Sequence, residues 1–103
     1  MRPIEAISWP EQSQDRLILR AQRGEEQAFA ALFDLHKRSI YSLCLRAADS
    51  AAEAEDMTKK IFLRVFREIP AFHDEHMFST RLYELTANAM SIRLQASAAL
   101  SLA

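Results

Sequence analysis

The sequence predicts an all-α fold, a compact bundle of about four helices, and two observations carry that prediction. Breakers are scarce: one Gly and three Pro in 103 residues leave long uninterrupted segments. Within those segments apolar residues recur at the 3.6-residue period of a helix face. A chain of this length suits one small domain with a core of three or four helices.

Taken in order, residues 1–12 read as a leader of mixed polarity with Pro3 and Pro10, in which Ile7 or Trp9 can pack down as a tether. The helical domain is expected over 13–95. Ser13 can cap a first helix from Gln14 to Arg23, with Asp15 in the turn where the helix dipole favours an acid. Leu17, Ile18 and Ala21 form its buried stripe, and Gly24 suits the position just past its end. A second helix is expected from about Glu25 to Ala47, with Ala28, Phe29, Leu32, Phe33, His36, Ile40, Leu43, Cys44 and Ala47 on one face. His36 reads as a core-edge residue and Cys44 as a small core residue.

Ser50 can cap the central helix, with Glu53 completing a capping box. Ala54, Met57, Thr58, Ile61, Phe62, Val65, Phe66 and Ile69 share its inner face, while Glu53, Asp56, Lys60, Arg64 and Arg67 lie opposite. Asp56 stands four residues before Lys60, the favourable order for an ion pair. Pro70 stops this helix. A loop over Ala71–Met77 follows. Ser79 or Thr80 can cap a last helix that reaches about Gln95, with Phe78, Leu82, Leu85, Thr86, Ala89 and Ile92 inward. The small, uncharged tail 96–103 either extends that helix or frays.

Half the residues are apolar and 26% are charged, the balance of a soluble globular protein. A net charge of −1 announces no global basic field, so any nucleic-acid contact must be local. The single cysteine, Cys44, allows no internal disulfide and fits a reducing compartment. No apolar run approaches a membrane span, and Glu5 and Pro3 interrupt any signal-like start, so a cytoplasmic setting is expected. No glycine-rich phosphate loop, nucleophile elbow or Cys/His pairing occurs. His73, Asp74, Glu75 and His76 cluster, but no further ligands are signalled, so neither a metal nor any other cofactor is expected. An enzyme is therefore not expected.

A resemblance adds to this reading. Gly24-Glu25, Ala28-Phe29, Leu32-Phe33, Ile40-Tyr41 and Leu45-Arg46 are similar to the opening of region 2 of bacterial RNA polymerase sigma factors, the extracytoplasmic-function (ECF) group above all. Ala54-Glu55-Asp56-Met57-Thr58 and Phe62-Leu63-Arg64-Val65-Phe66 resemble that group's central helix. Phe78-Ser79-Thr80, Leu82-Tyr83 and Asn88 resemble its promoter-facing last helix. The ordered set runs from about Asp15 to Leu94.

The resemblance implies a domain that docks its central helix on the coiled coil of the polymerase's largest subunit. Its loop and last helix would bind the −10 promoter element and hold the melted non-template strand, with a flipped base in a pocket of the loop. An anti-sigma regulator is a further candidate partner. A sigma-like protein-interaction module, binding a regulator or itself and leaving DNA alone, is the alternative. Glu53, Asp56, Met57 and Lys60 are the candidate polymerase-binding residues. Phe72, His73, Asp74, Thr80, Arg81, Asn88, Lys60, Arg64 and Arg67 are the candidate DNA-binding residues.

Each has a plainer reading. Phe72 can stack on an unpaired base or cover the core. Lys60 and Arg64 can neutralise phosphates or pair with Asp56 and Glu68 on a solvated face. Asn88 can meet a base edge or only water. The chain also departs from the family pattern. Lys59-Lys60 replace a usual Gln-Glu, Arg81 replaces an aromatic, and Glu84 stands at a usually basic position. Only Arg93 remains of a closing basic run, and the helix-turn-helix domain that reads the −35 element is not expected within these residues.

Overall fold

The computed structural model describes residues 16–102, and four α-helices account for most of them. The expectations for the leader, Trp9, Ser13, Gln14 and Asp15 lie outside the described residues. Helix α1 is described over 16–22, α2 spans Glu26–Ala47, α3 spans Ala51–Glu68 and α4 spans Glu75–Leu102. A short 3-10 turn, Ile69–Ala71, follows α3. The all-α bundle predicted from periodicity is the fold observed, and the described residues include no strand.

The stop of α1 is set by Gly24, whose φ of 85° lies in the left-handed region open to glycine. Its N–H donates to the Ala21 carbonyl at 2.9 Å, and the Glu25 N–H donates to the Arg20 carbonyl at 3.2 Å. This double closure satisfies the last carbonyls of α1 and turns the chain into α2. An ion pair between Arg20 and Glu25 at 2.8 Å spans the same turn. Ile18 and Ala21 are buried, as their stripe predicts.

The start of α3 is fixed by Ser50, whose hydroxyl accepts the Glu53 N–H at 3.1 Å. Glu53 reaches back one residue further than a capping box requires, accepting from the Asp49 N–H at 2.8 Å. Pro70 lies in the 3-10 turn rather than in the helix, so the missing donor costs no helical bond. The amide of Gln22 donates to the Ile69 carbonyl at 3.1 Å and to that of Phe72, tying α1 to this turn.

Two expectations for the last helix are corrected: its cap, and the inward place of Ile92, which is 67% exposed because the far turns of the helix project past the core. Neither Ser79 nor Thr80 caps it. Asp74 does, accepting the Met77 N–H at 2.9 Å through Oδ1, so the helix begins at Glu75. An aspartate is as strong a cap as serine or threonine and comes first along the chain. Of the two courses expected for the tail, the helix takes the extended one and runs on to Leu102. That segment holds Ala96, Ala98 and Ala99 and no breaker, so nothing in its sequence ends a helix.

The core is an aromatic spine between α2, α3 and α4. Phe33 packs edge-on against Phe62 at 4.8 Å, Phe29 against Phe66 at 4.9 Å, and Phe78 lies 6.4 Å from Phe66. The His36 ring sits 5.5 Å from Phe78, and burial pushes its pKa down. Burial likewise pushes the Cys44 thiol up, a bond with Thr58 opposing the shift in part. Two buried hydroxyls are satisfied within their own helices: Thr58 donates to the Ala54 carbonyl and Thr86 to that of Leu82, both at 2.8 Å. Beyond Thr86 no residue of α4 is fully buried among those described, so its last turns carry Ile92, Leu94 and Leu100 exposed.

Candidate nucleic-acid interface

Helices α3 and α4 leave a groove of about 660 Å³ between them. Met57, Lys60, Ile61 and Arg64 line it from α3, and Arg81, Leu85, Asn88, Ser91, Ile92, Arg93 and Gln95 from α4. Its floor is apolar and its rims are polar. Four of the nine candidate DNA-binding residues meet here: Lys60, Arg64, Arg81 and Asn88. So do two of the polymerase candidates, Met57 and Lys60.

Every cation of the groove is already paired, and exposure divides them into two kinds. Lys60 pairs with Asp56 at 2.8 Å while 74% exposed, and the hydrogen bond to Asp56 raises its pKa. Arg64 reaches Glu68 at 3.7 Å while 64% exposed. Pairs so open to water are strongly screened, so either cation can exchange its carboxylate for a phosphate at small cost. Arg81 is only 30% exposed and holds Glu68 through two bonds, at 2.6 and 3.1 Å. A third contact, at 3.4 Å, goes to Glu84. Arg93, 20% exposed, joins Glu53 and also reaches Asp49 at 2.5 Å.

Those two arginines bolt α4 onto α3 at its two ends. Arg81 meets the last turn of α3, and Arg93 meets the capping residues of its first turn. The Arg93 guanidinium holds the Glu53 carboxyl below the usual range, and Arg81 does the same to Glu68. Planar guanidinium forks suit this bidentate work better than lysine would. The substitution of Arg81 for an aromatic and the survival of Arg93 thus have structural consequences that sequence order alone did not signal.

The remaining candidates lie outside the groove. Phe72 is 7% exposed and packs edge-on against Phe78 at 6.2 Å, so its ring sits in the core with no face open to a base. His73 is exposed, and its backbone N–H donates to the Met77 sulfur at 3.3 Å. The Asp74 carboxylate is engaged in capping α4. Thr80 and Arg67 are exposed on the outer faces of α4 and α3. Among the polymerase candidates, Asp56 and Lys60 form an exposed pair, Met57 is half-buried, and Glu53 is held by Arg93. No group of three or more His, Cys, Asp and Glu converges among the described residues.

The sequence also matches known proteins. The sigma-70 region 2 family matches residues 32–98, which take in α3, the groove and most of α4. The ECF RNA polymerase sigma factor SigW of Bacillus subtilis is 35% identical over 78 residues, 76% of this chain and 42% of that protein. The RNA polymerase sigma-H factor of Pseudomonas aeruginosa is 33% identical over 86 residues, 82% of this chain and 45% of that protein. The ECF sigma factor BldN of Streptomyces coelicolor is 39% identical over 56 residues, 54% of this chain and 21% of that protein. The chain therefore spans less than half the length of these relatives. No described helix is long and apolar enough to cross a membrane.

Proposed function

The chain belongs to the sigma-70 region 2 family, in its ECF branch, and from that premise we propose that it serves transcription initiation by docking on core RNA polymerase and holding the single-stranded −10 element. The observation that carries this reading is the α3–α4 groove, where two releasable cations face an exposed amide across an apolar floor. Lys60 and Arg64 meet the phosphates. Asn88 offers a donor and an acceptor to a base edge. Arg81 and Arg93 position α4 against α3 and touch no DNA. Asp56, exposed one turn before Lys60, meets the basic surface of the polymerase coiled coil. This work is done in the cytoplasm, and no chemical step is required of the chain.

Fluorescence anisotropy with a short single strand carrying a −10 element, against a scrambled strand, tests the DNA half. Preferential binding of the first strand is expected, and equal affinity for both would overturn it. Capture of the polymerase coiled coil tests the other half: Asp56→Arg abolishes it, and unchanged capture removes Asp56 from the interface. A protein-interaction role without DNA recognition is the second reading. It is favoured by the carboxylates that already partner every cation of the groove. A folded protein that binds neither strand is its expected signature.

A further inference from the structure

Along α4 the anchors change in kind partway down the groove. Phe78, Leu82, Leu85 and Thr86 are buried and fix the first half of the helix against the core. Past Thr86 the helix is held differently. Ala89 and Met90 are half-buried, while Asn88, Ser91 and Ile92 are exposed. The next side chain that bonds across to α3 and its cap is Arg93. Its guanidinium joins one Glu53 oxygen through Nε, reaches the other at 3.4 Å and meets Asp49 at 2.5 Å. The receiving end is itself fixed: Glu53 accepts the Asp49 N–H at 2.8 Å, and its own N–H donates to the Ser50 hydroxyl at 3.1 Å. Arg93 is the only charged residue of α4 beyond Glu84, so the helix has no second ion pair to replace it.

We infer that Arg93 is a positioning residue for sequence discrimination: it holds Asn88 in the pose that reads a base edge and does not touch DNA itself. The inference rests on the proposed DNA reading and divides it into two parts with separate supports. Thr86 and Arg93 stand about 10 Å apart along the helix axis, and Asn88 lies in the two turns between them. A hydrogen bond to a base edge weakens steeply with distance and angle, so reading depends on both anchors. Lys60 and Arg64 stand on α3, whose place is set by buried Ile61, Phe62 and Val65 rather than by Arg93. Attraction to phosphates is long-ranged and carries no sequence information, so affinity for any strand survives the loss of Arg93. Arg81 is less critical in this respect. It adjoins Leu82 and stands one turn from Leu85, so core packing keeps its turn in place. The Arg93 guanidinium is 20% exposed and committed to two carboxylates, which leaves it poorly suited to a phosphate.

The test uses the full chain and two measurements. Fluorescence anisotropy compares a single strand carrying a −10 element with a scrambled strand, for the parent, Arg93→Met, Asn88→Ala and the double variant. Arg93→Met should lose about tenfold in its preference for the −10 strand, roughly the worth of one amide-to-base contact, while its salt slope stays that of the parent. Asn88→Ala should lose as much. The double variant should lose no more than either change alone, because Arg93 acts through Asn88. Arg93→Lys, which keeps one ion pair, should recover part of the preference. Amide hydrogen exchange gives the structural half: in Arg93→Met it should quicken from Ala87 to Gln95 and stay unchanged from Phe78 to Thr86. Losses that add in the double variant would show that Arg93 acts by another route. A salt slope shallower by about 0.7 would make Arg93 itself a phosphate contact. Either result overturns the inference. A parent that binds both strands equally fails the DNA reading, and this inference with it. A parent that discriminates, beside an Arg93→Met variant that discriminates equally, overturns this inference alone.

Discussion

The two flanks of α3 carry cations in similar number and use them in opposite ways. Toward α4, all four cations of the groove are matched with carboxylates, and the two least exposed, Arg81 and Arg93, close bonds between residues 13 and 40 positions apart. Toward α2, Arg38 and Lys59 stand free of ion pairs among the described residues. A cation that bridges two helices within the fold is committed to the fold. A cation with no internal partner is available to something outside it. The same residue types thus separate into structural and interactive groups by exposure and pairing rather than by sequence pattern.

The largest effect is expected in the core that both flanks of α3 cover. Phe62 is buried in the aromatic spine against Phe33 and Phe66, and Phe62→Ala should cost about 3–5 kcal/mol in chemical denaturation. A smaller loss would mean that the aromatic spine does not rest on this ring. Next, Arg93→Ala should lower the thermal midpoint and loosen α4, because Glu53 loses its main partner. The matched change on the other flank, Lys59→Ala, should leave the stability within about 0.5 kcal/mol of the parent and the midpoint nearly unmoved. Equal losses from the two would erase the distinction drawn between the flanks.

The smallest effect is on pH dependence. Burial lowers the His36 pKa, so the folded state resists a proton that the unfolded chain takes up near its ordinary value of 6.5. Stability is therefore full above that value and declines as pH falls below it toward the lowered folded value. Glu53 and Glu68 are also lowered in the folded state, by Arg93 and Arg81, from an ordinary 4.5. Their contribution is present above 4.5 and is lost as pH falls through the folded values. Thermal midpoints measured against pH should therefore fall in two stages, and His36→Phe should remove only the upper one. A single stage in the parent would show that His36 is not part of the protonation balance.

What the sequence made legible follows from the range of each interaction. Helices α2 and α3, the Ser50 cap and the Asp56–Lys60 pair rest on neighbours within about one turn, and periodicity or spacing predicts each of them. The start of α4 was misjudged because three capping residues, Asp74, Ser79 and Thr80, compete within seven positions, and local propensity does not rank them. Phe72 could not be assigned between core and interface from its position in a loop; only the packing of Phe78 against it decides. The pairings of Arg81 with Glu68 and of Arg93 with Asp49 and Glu53 depend on how α4 crosses α3. No periodicity encodes that crossing, and so half of the groove's cations were misassignable from sequence.

The proposed reading of the DNA contacts assigns the phosphates to Lys60 and Arg64 in the α3–α4 groove. The most direct measurement is the slope of log affinity against log salt for a −10 single strand, taken on the parent and on the double variant Lys60→Ala/Arg64→Ala. Two phosphate contacts on a single strand give a slope of about −1.4, and the double variant should approach zero while keeping its helicity. An unchanged slope in that variant would contradict this assignment and move the DNA contacts elsewhere on the chain.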